Sequence, residues 1–451
     1  MVMDFFERFC YTFAISSKND IFKEGYPMLT INETRLLNRI HALGAVGIDA
    51  DGRRTRLAAS DEDKAGRDLV SRWMREAGLT VVTDYIGNLF GIWTPEGCAE
   101  TEPVMTGSHI DTVINAGQFD GCYGVLAALE VVETLKASGF VPARPIAVVA
   151  FTNEEGVRYA PDMLGSLVYA GGYPLEQALA TVGTDGAVLG KELKRIGYAG
   201  TVAPGFLKPC AFVEAHIEQG PILETEGITI GAVEDLQGIS WQRITIEGEQ
   251  NHAGTTPTAY RADAGLAAAK VMTFLRSRCE LPGSRTVATT GCIAFEPNAI
   301  NVIPGKAVFT VDVRNPDAAQ LCAEEQALAD YLAELEKTDR VKITTERLSR
   351  FAPVLFDEGI VRLVEDSAAA RSLSCRRMTS GAGQDAQMLA RICPTAMIFV
   401  PSVRGISHNP LELTRDGVTA DLLTTGAVIK PSFCGPCFGA GDVPANNGLS
   451  L

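Results

Sequence analysis

The apolar positions of this chain switch between two periods, and the switching predicts its elements. Leu36, Leu37, Ile40 and Leu43 recur at helical spacing behind Asn32 or Thr34 as cap, and Gly44 and Gly47 stop the run. Leu69, Val70, Trp73 and Met74 mark a second helix, opened by Ser60-Asp61-Glu62-Asp63 and closed by Gly78. Two short strands are expected over 79–83 and 89–93, separated by the turn residues Gly87-Asn88. Strand composition returns at 103–106, and Val125, Leu126, Leu129 and Val132 resume the helical period. Residues 145–151 are apolar without a break and rich in β-branched side chains, which suits a strand buried on both faces. Thr395–Val400 reads as a further strand.

Between 237 and 348 the pattern changes. Residues 241–249 alternate as a strand, 262–280 are helical, 286–295 and 306–314 read as strands, 317–336 as a helix and 341–348 as a strand. That β-α-β-β-α-β order is the ferredoxin-like arrangement, a small self-contained α+β domain. The expected class is therefore α/β, a larger domain with a central sheet flanked by helices and an inserted ferredoxin-like α+β domain. The expected segments are an N-terminal extension (1–27), the first part of the larger domain (28–236), the inserted domain (237–350), the second part of the larger domain (351–425) and an atypical tail (426–451).

Composition narrows the ligand. In 451 residues, 46% hydrophobic and 21% charged is ordinary for a soluble globular protein. A formal charge of −15 argues against nucleic acid and anionic membrane, both of which need a basic face, and leaves a small molecule as the expected ligand. No apolar run approaches the roughly 20 residues that span a bilayer. The opening MVMDFFERFCYTFAISSKND lacks the basic lead and cleavage site of a secretory signal. Eleven cysteines, an odd number without repeating spacing before Cys434 and Cys437, read as reduced thiols. A cytoplasmic protein is expected.

The candidate chemistry gathers where strand-like runs end. The stretch GSHIDTVINAGQFDG (107–121) carries His109 and Asp120, which suit a divalent metal of the zinc type. Asp111 is expected to fix the His109 tautomer through the other ring nitrogen. Asn153-Glu154-Glu155-Gly156 follows the buried strand, and two adjacent carboxylates there are costly unless positive charge lies beside them. A dinuclear metal site would supply that charge. Of five histidines, four (His109, His216, His252 and His408) sit beside Gly, Asn, Ser or acidic residues at such ends. His41, on the first helix without acidic neighbours, reads as a surface or packing residue.

Taken in order, GSHIDTVINAGQFDG, NEEG, EAHIEQGP, NHAGTTP and GISHNPLE resemble the amidohydrolase branch of the M20 metallopeptidase family, over about residues 30–422. That branch holds N-carbamoyl-L-amino-acid hydrolases, allantoate amidohydrolases and bacterial-type β-ureidopropionases. HIEQGP and NHAGTTP set it apart from the ordinary peptidases of the family. The resemblance implies two divalent ions (Zn, Mn, Co or Ni) bridged by Asp120. His109 and His216 would complete one site, and Glu155 and His408 the other. Glu154 would be general base towards the attacking water.

The same resemblance makes the larger domain (28–236 and 351–425) the catalytic one and the inserted domain its lid or dimerisation domain. It also implies a homodimer in which His252, on the inserted domain, reaches the active site of the other subunit and steadies the oxyanion. A local bond to Thr255 or Thr256 is the plainer reading of His252. Asn301 and Arg314 would hold the substrate carboxylate, the guanidinium by two parallel hydrogen bonds. An ion pair with Asp312 or Asp317 is the plainer reading of Arg314. Gln219 either faces substrate or makes a structural hydrogen bond, and Gly383, with Gly381 and Ala382, offers backbone donors to the substrate. The implied reaction cleaves the ureido C–N bond of an N-carbamoyl-L-amino acid to amino acid, carbon dioxide and ammonia. The alternatives are hydrolysis of allantoate, ureidoglycolate or β-ureidopropionate, or, in another class, a catalytically silent binding protein.

Two departures stand out. The family's GAGHDA reads Gly381-Ala382-Gly383-Gln384-Asp385-Ala386, so a glutamine that cannot carry a proton at neutral pH replaces a histidine. Rate and substrate preference are expected to feel this more than metal binding. At Ser240-Trp241, where some allantoate enzymes carry basic residues, the chain has none, which weakens the allantoate alternative. From about Gly426 the tail resembles instead the iron–sulfur segment of aconitase-type hydro-lyases. Cys434 and Cys437 alone cannot complete a cluster, and a fusion or truncation remnant is expected.

Overall fold

The computed structural model describes residues 30–96, 98 and 102–415. The expected extension over 1–27 and the tail with Cys434 and Cys437 lie outside the described residues. Within them the chain forms two units, one running to Glu234 and resuming at Phe356, the other Asp235–Leu355.

The first unit is α/β, with a central sheet flanked by helices. Its sheet runs in the order Thr80–Thr83, Leu89–Trp93, Ile146–Phe151, Val104–His109, Ala211–Ile217, Thr395–Val400, Ile230–Leu236. The four inner strands are mutually parallel, and the flanking ones antiparallel. Parallel neighbours need crossovers that cover the faces of the sheet. Ile146–Phe151 and Thr395–Val400 are accordingly buried at every position, as their unbroken apolar runs require.

Helix Cys122–Ala137 makes the crossover between Val104–His109 and Ile146–Phe151, and is buried on nearly all sides. Helix Glu33–Gly44 packs on it, and Arg35 donates to the buried Glu130 carboxylate at 2.6 and 2.8 Å. The expected caps are present: Asn32 accepts from the Arg35 N–H at 3.0 Å and Ser60 from the Asp63 N–H at 3.1 Å.

The direction of the four parallel strands positions the chemistry. Register sets His109 beside Phe151 and His216 beside Phe399. With strands about 4.8 Å apart, the residues that leave their carboxyl ends share one edge of the sheet. That edge is the usual location of sites in open α/β sheets.

The second unit has the β-α-β-β-α-β order. Its antiparallel sheet runs Ile293–Glu296, Lys306–Asn315, Gly238–Glu247, Lys342–Phe351. Lys306–Asn315 buries alternate residues, and Phe309, Val311 and Val313 join Val271, Leu328 and Leu332 of helices Ala264–Cys279 and Ala318–Asp339 in one core. The single strand expected over 286–295 is broken into Val287–Thr289 and Ile293–Glu296. Both pieces pair with Lys306–Asn315 at separate places, and Gly291 supplies the break. Among the described residues no helix is long and apolar enough to cross a membrane.

Candidate metal centre

Each of the four parallel strands delivers one part of a polar cluster. His109 ends Val104–His109, Glu154 and Glu155 follow Ile146–Phe151, His216 lies in Ala211–Ile217, and His408 follows Thr395–Val400. Asp120, from the loop before helix Cys122–Ala137, stands between them. Its Oδ1 lies 3.5 Å from His109 Nε2 and 3.2 Å from His216 Nε2, and its Oδ2 lies 3.4 Å from His408 Nε2. Glu155 Oε2 is 3.3 Å from the same His408 nitrogen. The ligand atoms of His109, Asp120 and His216, and again of Asp120, Glu155 and His408, all fall within 4.8 Å of one another.

The tautomers decide what this geometry can hold. His109 donates its Nδ1–H to the Asp111 backbone carbonyl at 3.0 Å, and His216 donates its Nδ1–H to the Ile217 carbonyl at 2.9 Å. Each Nε2 then presents a lone pair towards carboxylate oxygens that can only accept. Lone pair against lone pair is unfavourable unless the ring takes a second proton or a cation lies between. His109 Nε2 is buried and has no hydrogen-bond partner, and the same is true of Glu155 Oε1. His216 Nε2 also lies 3.1 Å from the Gly121 N–H.

The electrostatics make the same demand for positive charge. Burial pushes the Glu154 carboxyl well above its usual range, helped by Asp385 and Glu155. Burial and the Asp120 charge push Glu155 up to about 8. Burial works to lower the His109 pKa, yet Glu154, Asp120 and Asp111 drive it well above the ordinary imidazole value. A bond to Asp120 raises His408 to about 9. Buried acids forced towards protonation beside imidazoles forced the same way fit a divalent cation better than protons. The donor set of imidazole nitrogen and carboxylate oxygen fits Zn, Mn, Co or Ni.

Asp111 meets the other ring nitrogen of His109, but through its backbone and not its side chain. Its carboxylate does not bond the His109 ring, from which Oδ1 is 3.9 Å away; its backbone carbonyl does. The carboxylate instead accepts the Glu154 and Glu155 N–H groups at 3.2 and 3.3 Å. It fixes the loop that sends Glu154 Oε2 to 3.4 Å from His109 Nε2 and Glu155 towards His408.

Three further residues surround Asp120. Glu412 accepts the Phe119 and Asp120 N–H groups at 2.9 and 3.1 Å, and the Ser407 hydroxyl lies 3.0 Å from both Glu412 Oε2 and Asp120 Oδ2. Gln219 Nε2 donates to Asp120 Oδ2 at 2.9 Å, so the structural bond rather than an open amide is what the fold gives it. Ser407 and Glu412 lie inside GISHNPLE, yet no role follows for them from the sequence. The signal is an acid four residues beyond the histidine. Gly117 makes room for it, since a Cβ there would meet Glu412 Oε1 at 2.2 Å.

Gly121 is equally constrained. Its φ is 61°, and a Cβ would lie 2.4 Å from three atoms of the His109 ring. Gly121→Ala is expected to strain the backbone by about 1–3 kcal/mol and to displace the ring, lowering metal affinity about tenfold or more. Metal content after dialysis and thermal unfolding of the metal-free protein check both parts.

The remaining expected residues lie elsewhere. His41 is exposed, 3.3 Å from Gln118. His252, Asn301 and Arg314 belong to the second unit. His252 is exposed, and its Nδ1 accepts the Gly254 and Thr255 N–H groups at 3.0 and 3.2 Å, which leaves the proton on Nε2. Arg314 is held on Asp312 at 2.8–3.0 Å, the plainer of its two readings. Gly383 lies half-buried just before the short helix Asp385–Leu389.

Comparison with known proteins places this geometry. The chain is 39% identical to an N-carbamoyl-L-amino-acid amidohydrolase of Rhizobium meliloti, over 85% of this chain and 92% of that one. It is 40% identical to the corresponding protein of Geobacillus stearothermophilus, over 85% and 94%. The crystal structure of an amidase of the hydantoinase/carbamoylase family from Burkholderia multivorans superposes with a TM-score of 0.86 at 43% identity, covering 88% of this chain and 97% of that one. The sequence pattern of peptidase family M20/M25/M40 matches residues 105–429, which include every member of both triads, and the chain belongs to that family.

Proposed function

We propose that the chain hydrolyses the ureido C–N bond of N-carbamoyl-L-amino acids, giving the amino acid, carbon dioxide and ammonia. Two divalent ions would be held by His109, Asp120 and His216 and by Asp120, Glu155 and His408. Such ions, when bound, polarise the carbonyl and make water a nucleophile at neutral pH. The observation that carries the reading is that both triads share Asp120 while Glu154, beside them, belongs to neither. Glu154 takes a proton from the attacking water and returns it to the departing nitrogen.

His252 of the partner subunit in a homodimer steadies the oxyanion. The two amides on its Nδ1 support this, because they keep Nε2–H available as donor. Asn301 and Arg314 take the substrate carboxylate, with Asp312 orienting the guanidinium, and Gly383 offers its backbone to the substrate. The eight described cysteines are free of disulfides, which supports a reducing, cytoplasmic setting.

The test is ammonia release by the purified chain loaded in turn with Zn, Mn, Co and Ni. The panel is N-carbamoyl-L-amino acids, allantoate, β-ureidopropionate, an N-acyl amino acid and a dipeptide. The expected result is a kcat/KM for a carbamoyl substrate at least about tenfold above the rest, a difference of about 1.4 kcal/mol in transition-state binding. Faster turnover of allantoate or of an acyl substrate overturns the assignment. Ligand-induced stabilisation without product from any substrate would make the chain a binding protein.

A further inference from the structure

The substitution that departs from the family lies in a chain of bonds that ends on the shared aspartate. Gln384 Nε2 donates to Gln219 Oε1 at 2.8 Å, and Gln219 Nε2 donates to Asp120 Oδ2 at 2.9 Å. The direction of both bonds is forced. A carboxylate only accepts, so Gln219 must turn its NH2 to Asp120 and its oxygen to Gln384, which must then present its own NH2. The cost is visible at the far end, where Gln384 Oε1 is buried without a partner.

Both amides are fixed from behind. Gln219 has a φ of 56°, uncommon for a residue with a Cβ, and its N–H is held by Ser402 Oγ at 3.0 Å. The segment that carries Gln384 is tied to the His216 strand, where Ala386 N–H donates to Glu214 Oε2 at 2.8 Å. A strained backbone and an orphaned acceptor are tolerated together where they aim a side chain.

We propose that Gln384 is a positioning residue: through Gln219 it fixes the Oδ2 edge of Asp120 for the ion held with Glu155 and His408. The inference rests on the two-ion reading above. Its specific content is that Gln219 and Gln384 act in series on one oxygen of Asp120, while Oδ1 faces the His109 and His216 rings.

The experiment titrates metal-free protein with Co²⁺, followed by visible absorbance, and with Zn²⁺, followed by calorimetry, without substrate. The binding step that disappears in His408→Ala identifies the Oδ2 ion. Gln384→Met and Gln219→Met keep approximate side-chain length and remove the relay, and each is expected to weaken that step about tenfold or more. Because the two act in series, the double variant should be no more than about twofold weaker than either alone. Gln384→His, whose ring N–H can still donate to Gln219, should bring the step back to within about threefold of the native value. A native Oδ2 step in Gln384→Met, or losses that multiply in the double variant, overturns the relay. If the unaltered chain takes fewer than two ions, the two-ion reading falls and the relay with it. If it takes two and Gln384→Met is silent, only the relay falls.

Discussion

Glu154→Gln is expected to lower kcat by about 10²–10⁴-fold while the protein still takes its full complement of metal and KM changes little. The side chain is nine-tenths buried, and its Oε2 lies 3.4 Å from His109 Nε2, at the rim of both triads and in neither. An amide of the same size fills the same space and hydrogen-bonds, but it cannot take a proton from water and return it to a leaving nitrogen. Metal analysis of the variant separates this from loss of a ligand, since Glu155, one residue on, belongs to the cluster with Asp120 and His408. Single-turnover measurement with an N-carbamoyl substrate separates it from slow product release. A kcat within about tenfold of the native value would remove Glu154 as the base. A native protein that binds substrate without turning it over would leave nothing for the variant to lose.

What the sequence makes legible is what repeats at strand ends. His109, the Glu154-Glu155 pair, His216 and His408 each follow or end a run whose β-branched or alternating composition can be read directly, and parallel strands carry such ends to one edge. The local pattern also identifies the order of elements in Asp235–Leu355, because Lys306–Asn315 alternates strictly and the two helices are long. Short elements escape it. Leu164–Tyr169, Leu175–Leu179 and Leu189–Ile196 are too brief for a helical period to stand out, and the division at Gly291 shows only once both halves pair with one partner.

The site's supporting bonds were less legible, and for a different reason. A histidine two residues from an aspartate gives no hint whether the acid's side chain or its backbone will meet the ring; here the turn after the strand presents the Asp111 carbonyl. Glu412 looks like an ordinary loop acid in the sequence, and becomes buried only because Gly117, almost three hundred residues earlier in the chain, leaves space for it. Gln384 and Gln219 are separated by 165 positions. Pairings of this kind depend on tertiary placement, which no local period encodes.

Asp120→Asn is expected to abolish binding of both ions and, with them, about 10³-fold or more of the activity, the equivalent of several kcal/mol of Lewis-acid stabilisation. The metal-free variant should be less stable than the native apoprotein. The reason is the pattern of donors around the side chain. In the metal-free native protein Oδ1 faces the rings of His109 and His216, which with His408 hold the buried Asp120 carboxyl well below its usual range, and Oδ2 accepts from Gln219 with the Ser407 hydroxyl in reach. An asparagine can turn its NH2 to His109 and His216 and keep its oxygen towards Gln219 and Ser407. The bonds from Gln219 and Ser407 are then retained, but the negative charge that pairs with the raised imidazoles of His109 and His408 is lost. The same NH2 occupies the place where a shared ligand oxygen is needed. Metal analysis should find less than one ion per chain, and thermal unfolding in a chelator should give a Tm below the native apoprotein's. Two retained ions would show that Asp120 is not the bridge. A Tm no lower than the native apoprotein's, with no ions bound, would show that the imidazoles around Asp120 carry no second proton there.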